Sequence, residues 1–212
     1  MAQEQLNYYT KTYPNFLDDE LCDAYVQMFE ETMKKDADEV RDTSICYGPQ
    51  LGVAGQPICG SCNCQRMNPM GFDRFEHLNK LAISKFVKIV EEYKRDVDLH
   101  ASQWPDEYGW EELRMKRFLV SDGGPDAEQF TNHVDVLSRE GAKRFLILMV
   151  YLNDDFDNGE TVFPIFNDSI KPEKGKILIF PPLWQYLHRG NPPTGDGYAK
   201  YFLMTYLNYI KE

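Results

Sequence analysis

The chain has 212 residues, 42% hydrophobic and 27% charged, enough for one domain with a real core and ordinary for a globular protein. Its 23 lysines and arginines face 34 aspartates and glutamates, a formal charge of −11, which disfavours nucleic acid and anionic membranes as partners and suits basic or neutral substrates, or simply maintains solubility. No apolar run approaches the ~18 residues of a membrane span, and Met1 to Thr10 lacks an apolar signal core, so a cytoplasmic protein is expected.

The first half reads as helical. Asp18 or Asp19 can cap a helix that carries Leu21, Tyr25, Met28 and Phe29 on one side, with Lys34 and Lys35 suiting its C-terminal dipole. A second helix is predicted from about Asp73 to Tyr93, with Phe75, Leu78, Leu81, Ala82, Phe86 and Ile89 at helical spacing. Between them, residues 46–71 are rich in Gly, Pro, Asn and Cys and read as a long loop, of the kind that often serves as a lid. Residues 104–109 read as another loop. His77 and His100 fall in this half and are expected at the surface or in helix packing.

The second half reads as strands, over residues 113–120, 129–136, 144–152, 161–163, 176–180, 183–188 and 201–209. Turn signals separate them, among them Asp122-Gly123-Gly124-Pro125 and Asp157-Asn158-Gly159. Helices followed by short strands predict an α+β chain, a two-sheet roll or barrel with the helices on one outer face.

Within this half, His133-Val134-Asp135 places a histidine and a carboxylate two apart, on one face of a strand. The tripeptide alone also suits a surface strand with two polar residues. His188 strengthens the metal reading, because two histidines and one carboxylate form the facial triad of non-haem Fe(II) oxygenases and leave three positions of an octahedral ion open. Zinc accepts the same donors and would support hydrolysis instead. Lys200 begins an apolar strand; it either snorkels to solvent or points inward, where it requires an anion. Cys59, Cys62 and Cys64, with Cys46 upstream, read as reduced thiols in a loop, with structural zinc as the alternative.

Read together, His133-x-Asp135, Tyr151-Leu152-Asn153-Asp154, Gly159-Glu160-Thr161-Val162-Phe163-Pro164, Lys171-Pro172-x-Lys174-Gly175, Ile179-Phe180-Pro181, His188 and Lys200 resemble the prolyl 4-hydroxylase-type 2-oxoglutarate/Fe(II) dioxygenases. The resemblance covers about residues 113–208, and residues 13–22 resemble the family's lead-in to its first helix. It implies a single domain, with residues 1–110 as helical support and lid and 111–212 as a catalytic double-stranded β-helix (jelly-roll, cupin-like). It implies Fe(II) on His133, Asp135 and His188, and 2-oxoglutarate as cosubstrate with its far carboxylate on Lys200 and Tyr151 and Thr161 lining its pocket. O2 is the oxidant and ascorbate the reductant. The substrate would be a prolyl or related residue of a peptide or protein, with Arg144, Trp184 and Tyr206 as candidates to meet it. A free amino acid or other small molecule, or a non-catalytic metal-binding roll, are the alternatives. The chain departs from the pattern in three places, one of them the loop over residues 121–128, which is longer than the pattern implies. Phe118 stands where the family often has a tyrosine hydroxyl for the cosubstrate, and Tyr206 where it often has tryptophan.

Overall fold

A computed structural model of the chain describes residues 8–35, 41–43, 64–124, 127–139 and 141–210. The first helix, α1 (Asp19–Lys35), begins where expected. The Leu21 N–H donates to Asp18 Oδ1 at 3.0 Å, so Asp18 is the cap. The second, α2 (Glu76–Asp96), is preceded by a 3-10 turn at Asp73–Phe75 and buries Ala82, Phe86, Ile89, Val90 and Tyr93 along one stripe.

The strands are β1 (Lys11–Tyr13), β2 (Arg41–Thr43), β3 (Cys64–Met67), β4 (Tyr108–Trp110), β5 (Arg114–Leu119), β6 (Phe130–His133), β7 (Arg144–Tyr151), β8 (Asp157–Asn158), β9 (Thr161–Phe163), β10 (Asp168–Ile170), β11 (Ile177–Phe180), β12 (His188–Gly190), β13 (Pro193–Thr194) and β14 (Ala199–Tyr209). They form a large antiparallel sheet in the order β1-β11-β7-β14-β5-β3-β2, with β4 also on β14, a smaller sheet β10-β9-β12-β6, and the pair β13-β8. The arrangement is a double-stranded β-helix of antiparallel sheets with two helices.

Strand alternation divides the large sheet into two faces. On one face, Leu146, Leu148 and Val150 of β7 and Tyr201, Leu203 and Leu207 of β14 share a core with Tyr25 and Phe29 of α1 and Phe86 and Val90 of α2. On the other, Ile147, Met149 and Tyr151 of β7 and Phe202, Met204 and Tyr206 of β14 share a second core with Phe163 of the small sheet. The site described below lies on this second face. Buried Arg117 ties the layers together, bonding Glu30 of α1 at 2.7 Å and Gln65 of β3.

Several expectations are corrected. The first half is not purely helical, since β1, β3 and β4 join the large sheet; β3 and β4 lie in stretches read as loops. Residues 183–187 are not a strand, which begins only at His188. Pro181 and Pro182 carry no N–H for a ladder, and the Tyr186 N–H closes a turn on the Leu183 carbonyl at 2.9 Å. The strand predicted to residue 136 ends at His133, so Asp135 lies just beyond it. Of the clustered cysteines, Cys64 is buried in β3; Cys46, Cys59 and Cys62 lie outside the described residues. Among the described residues no helix is long and apolar enough to cross a membrane.

Candidate metal centre

His133 ends β6 and His188 begins β12, and the two are directly paired across the small sheet. Each ring is oriented in the same way. Nδ1 of His133 meets the Thr131 carbonyl at 2.8 Å, and Nδ1 of His188 meets the Tyr186 carbonyl at 2.9 Å. A carbonyl only accepts, so each Nδ1 carries the proton and each Nε2 presents a lone pair. The rings lie 4.3 Å apart, centroid to centroid. Nε2 of His133 is 3.8 Å from Asp135 Oδ1, and Nε2 of His188 is 3.6 Å from Asp135 Oδ2. These distances are too long for hydrogen bonds, yet the three ligand atoms all lie within 4.8 Å of one another.

Asp135 is the most informative member. Tyr206 donates its hydroxyl to Oδ1 at 3.0 Å, while Oδ2 is buried with no hydrogen-bond partner among the described residues. A buried carboxylate oxygen without a partner is costly. Burial pushes the Asp135 carboxyl up, but the two imidazoles, the Tyr206 hydroxyl and Lys116 together hold it below its ordinary range. Burial, reinforced by His133, lowers His188 to about 4, so its imidazole is neutral at neutral pH. Two imidazole nitrogens and one ionised carboxylate fit a divalent transition-metal ion, and among the described residues nothing else satisfies Oδ2.

The triad borders a cavity of about 830 Å3. Lys200 also lines it, 4% exposed, with Nζ donating to the Gly159 carbonyl at 2.5 Å. Burial lowers its pKa to about 7 against the opposing pull of Glu160. Thr161 lines the same cavity, and Tyr151 lies buried behind it, their hydroxyls 2.7 Å apart. Phe118 stacks on Phe202 with centroids 5.6 Å apart and also meets Phe130, so an aromatic wall stands where a hydroxyl was absent from the sequence pattern.

Arg144 is not a loose strand-edge charge. Its guanidinium makes a two-point contact with Glu111 at 2.7 and 3.0 Å, lies 4.2 Å over the Tyr206 ring, and reaches the Asp135 carbonyl at 3.4 Å. Tyr206 lines the cavity, but its hydroxyl is committed to Asp135. Trp184, proposed from sequence as a substrate contact, is 74% exposed and does not line the cavity. Sequence reading missed Glu111 and Lys116. Glu111 bonds Arg114 at 2.7 Å as well as Arg144, and burial is outweighed by these arginines, which hold its carboxyl below the usual range. Its spacing of three from Arg114 was the available signal. Lys116 sits on the same strand face as Phe118, and the alternation of β5 was sufficient to find it.

Residues 118–208 match the family model of the 2OG-Fe(II) oxygenase superfamily. A protein of Acanthamoeba polyphaga mimivirus, provisionally named a prolyl 4-hydroxylase, is 39% identical over 62 residues. That match spans about a quarter of the relative's length, 26%, and 26% of this chain. Among solved structures, the viral collagen prolyl hydroxylase of Paramecium bursaria Chlorella virus-1, in its 2OG complex, is similar with a TM-score of 0.61 and 20% identity, covering 95% of this chain and 97% of that one. A prolyl hydroxylase of Trichoplax adhaerens, solved with a peptide fragment of the hypoxia inducible factor oxygen degradation domain, gives 0.65 and 14%, covering 98% and 87%. Residues 118–208 thus match the 2OG-Fe(II) oxygenase family model, in a chain whose sequence relative and structural neighbours bear the names of prolyl hydroxylases.

Proposed function

We propose that this chain is an Fe(II)- and 2-oxoglutarate-dependent dioxygenase that hydroxylates a prolyl or related residue in a peptide or protein. The observation that carries the reading is the convergence of His133 Nε2, His188 Nε2 and the unpartnered Asp135 Oδ2 on one cavity that also holds a buried lysine. His133, Asp135 and His188 would hold the iron. Bound Fe(II), with 2-oxoglutarate and O2, supplies the oxidation, one oxygen atom entering succinate as CO2 leaves and the other entering a C–H bond of the substrate.

The protein's own contribution is positioning and exclusion. The carbonyls of Thr131 and Tyr186 fix the two imidazole tautomers and aim both Nε2 atoms at one point. Tyr206 fixes the rotation of the Asp135 carboxylate. Lys200 would receive the distal carboxylate of 2-oxoglutarate, as a point charge in a site dry enough to lower its own pKa. Thr161 and Tyr151 would flank that cosubstrate. Phe118, Phe130 and Phe202 line the approach and keep water away. The helices and β1–β4 would serve as the support for this roll, and ascorbate as the reductant that restores Fe(II).

The test is an assay of succinate formed from 2-oxoglutarate with Fe(II) and ascorbate, together with mass spectrometry of a proline-containing peptide library. Succinate formation and a gain of one oxygen on a peptide are expected from the native chain, and neither from His188→Ala. Native protein that binds Fe(II) and 2-oxoglutarate but releases no succinate under any peptide would make the roll a binder instead.

A further inference from the structure

Lys116 is a charged group in the cavity whose field favours the ionised Asp135 but to which the proposed chemistry assigns no bound group. On β5, Arg114, Lys116 and Phe118 share a face, paired respectively with Met204, Phe202 and Lys200 of β14. The Lys116 ammonium lies 4.3 Å from the Phe130 ring centroid and 5.7 Å from that of Phe202. The Lys200 ammonium is also 5.7 Å from the Phe202 centroid. Two cations therefore flank one ring. Lys200 has the Gly159 carbonyl and, in the reading above, the cosubstrate. Among the described residues Lys116 has no hydrogen bond and no ion pair.

Farther along the same face the positive charge continues. Arg114 and Arg144 share a single carboxylate, Glu111, and both guanidiniums face the Tyr206 ring, at 5.6 and 4.2 Å. Lys143 lines the cavity and is exposed. Among the described residues the charged lining comprises Arg66, Arg114, Lys116, Lys143, Arg144 and Lys200 against Glu111, Glu112 and Asp135, and Asp135 belongs to the proposed metal triad. Among the described residues, a chain with a net charge of −11 has thus placed a surplus of cations around this cavity. Total charge pointed toward basic or neutral substrates; the local distribution points the other way.

We propose that the substrate is an acidic peptide segment, with one of its carboxylates received by Lys116 beside the reacting residue. An incompletely solvated ammonium between two aromatic rings gains most from an anion that completes it. Arg114, Arg144 and Lys143 extend the same preference away from the triad, so a run of carboxylates fits this lining better than a single small acid does. The inference rests on the proposed function for the location of the substrate.

The experiment measures binding and turnover separately. Fluorescent peptides of equal length around one proline, flanked by Glu, by Gln or by Lys, are titrated with the chain loaded with Mn(II) and 2-oxoglutarate. The Glu-flanked peptide is expected to bind about tenfold or more tighter than the Gln-flanked one and to weaken as salt rises. Lys116→Glu is expected to weaken the Glu-flanked peptide about tenfold or more and to strengthen the Lys-flanked one. That reversal distinguishes lost charge from lost folding. The proposal is overturned if the Gln- or Lys-flanked peptide binds the native chain as well as the Glu-flanked one. It is equally overturned if Lys116→Glu leaves the preference intact, or if free glutamate or a single-stranded oligonucleotide competes as strongly as the acidic peptide. Succinate release with Fe(II) is followed independently. Its absence refutes the dioxygenase reading, whereas a wrong charge order with succinate present refutes only the substrate assignment.

Discussion

The buried lysine yields the sharpest quantitative expectation. Without an anion beside it, Lys200 has a pKa of about 7, lowered by burial. A carboxylate bound there favours the charged ammonium and raises that pKa. Between the two values the complex holds one more proton than the free protein, so cosubstrate affinity is full below about pH 7 and falls as pH rises. Each pH unit above 7 adds about 1.4 kcal/mol to the cost of recharging the amine, or about tenfold in Kd, until the raised pKa is reached. Titration calorimetry of 2-oxoglutarate into the Mn(II)-loaded chain from pH 6 to 9, in two buffers of different ionisation enthalpy, measures both affinity and proton uptake. His188 is lowered to about 4 and is neutral throughout this window. Lys200→Met removes the charge pair, with an expected loss of roughly 2–5 kcal/mol, about 30-fold to several-thousand-fold in Kd at pH 7. Its remaining affinity should no longer vary over this pH range. Native affinity that stays flat from pH 7 to 9, with no proton taken up, would refute the assignment of Lys200 to the cosubstrate.

Four further outcomes are expected. Tyr206→Phe frees Asp135 Oδ1, and should weaken Mn(II) binding about 10- to 100-fold, read by metal titration with the Tm as control. Glu111→Gln leaves Arg114 and Arg144 sharing no carboxylate, and should destabilise the fold by about 3–5 kcal/mol, visible as a lower midpoint in urea. Gly159 has φ +74°, and a Cβ there would sit 2.7 Å from Phe156 and 3.4 Å from the Lys200 side chain. Gly159→Ala should therefore cost about 1–3 kcal/mol in stability and weaken 2-oxoglutarate binding, both read in the same titrations. Trp184→Ala should change peptide Kd by less than about twofold and stability by under about 0.5 kcal/mol, because the ring is outside the cavity and largely in solvent.

Much of the site was legible in the sequence because its parts are short-range or ordered along the chain. His133 and Asp135 are two apart, and His188 is the first and Lys200 the second residue of the strands that bring them in. The reasoning for Asp135 was incomplete, however. Strand alternation does not orient it, since β6 has already ended; Tyr206, 71 residues away, positions its carboxylate. What was hidden is tertiary in origin. Glu111 acquires its role only when Arg144, 33 residues on, folds over it. Trp184, a candidate to meet the substrate, is directed outward by Pro181, Pro182 and the turn at Leu183.

The division of the large sheet into two faces determines how damage on each side should be read. Leu203 and Met204 are adjacent in β14, yet Leu203 shares a core with the helices and Met204 lines the cavity. A truncation at Leu203 opens a void beneath α1 and α2 and acts on stability, at about 2–5 kcal/mol for a buried leucine cut to alanine. A truncation at Met204 enlarges the space between Arg114 and Tyr206 and acts on the substrate side. The same strand carries Lys200 toward the proposed cosubstrate and Tyr206 toward Asp135, both on the inner face. A one-residue slip of β14 would carry both groups to the helical side at once. The polar contacts of Asn153 with the Ala199 carbonyl and the Tyr201 N–H, at 2.7 and 2.8 Å, clamp the start of that strand. They hold the register on which the chemistry depends, from a position outside the cavity.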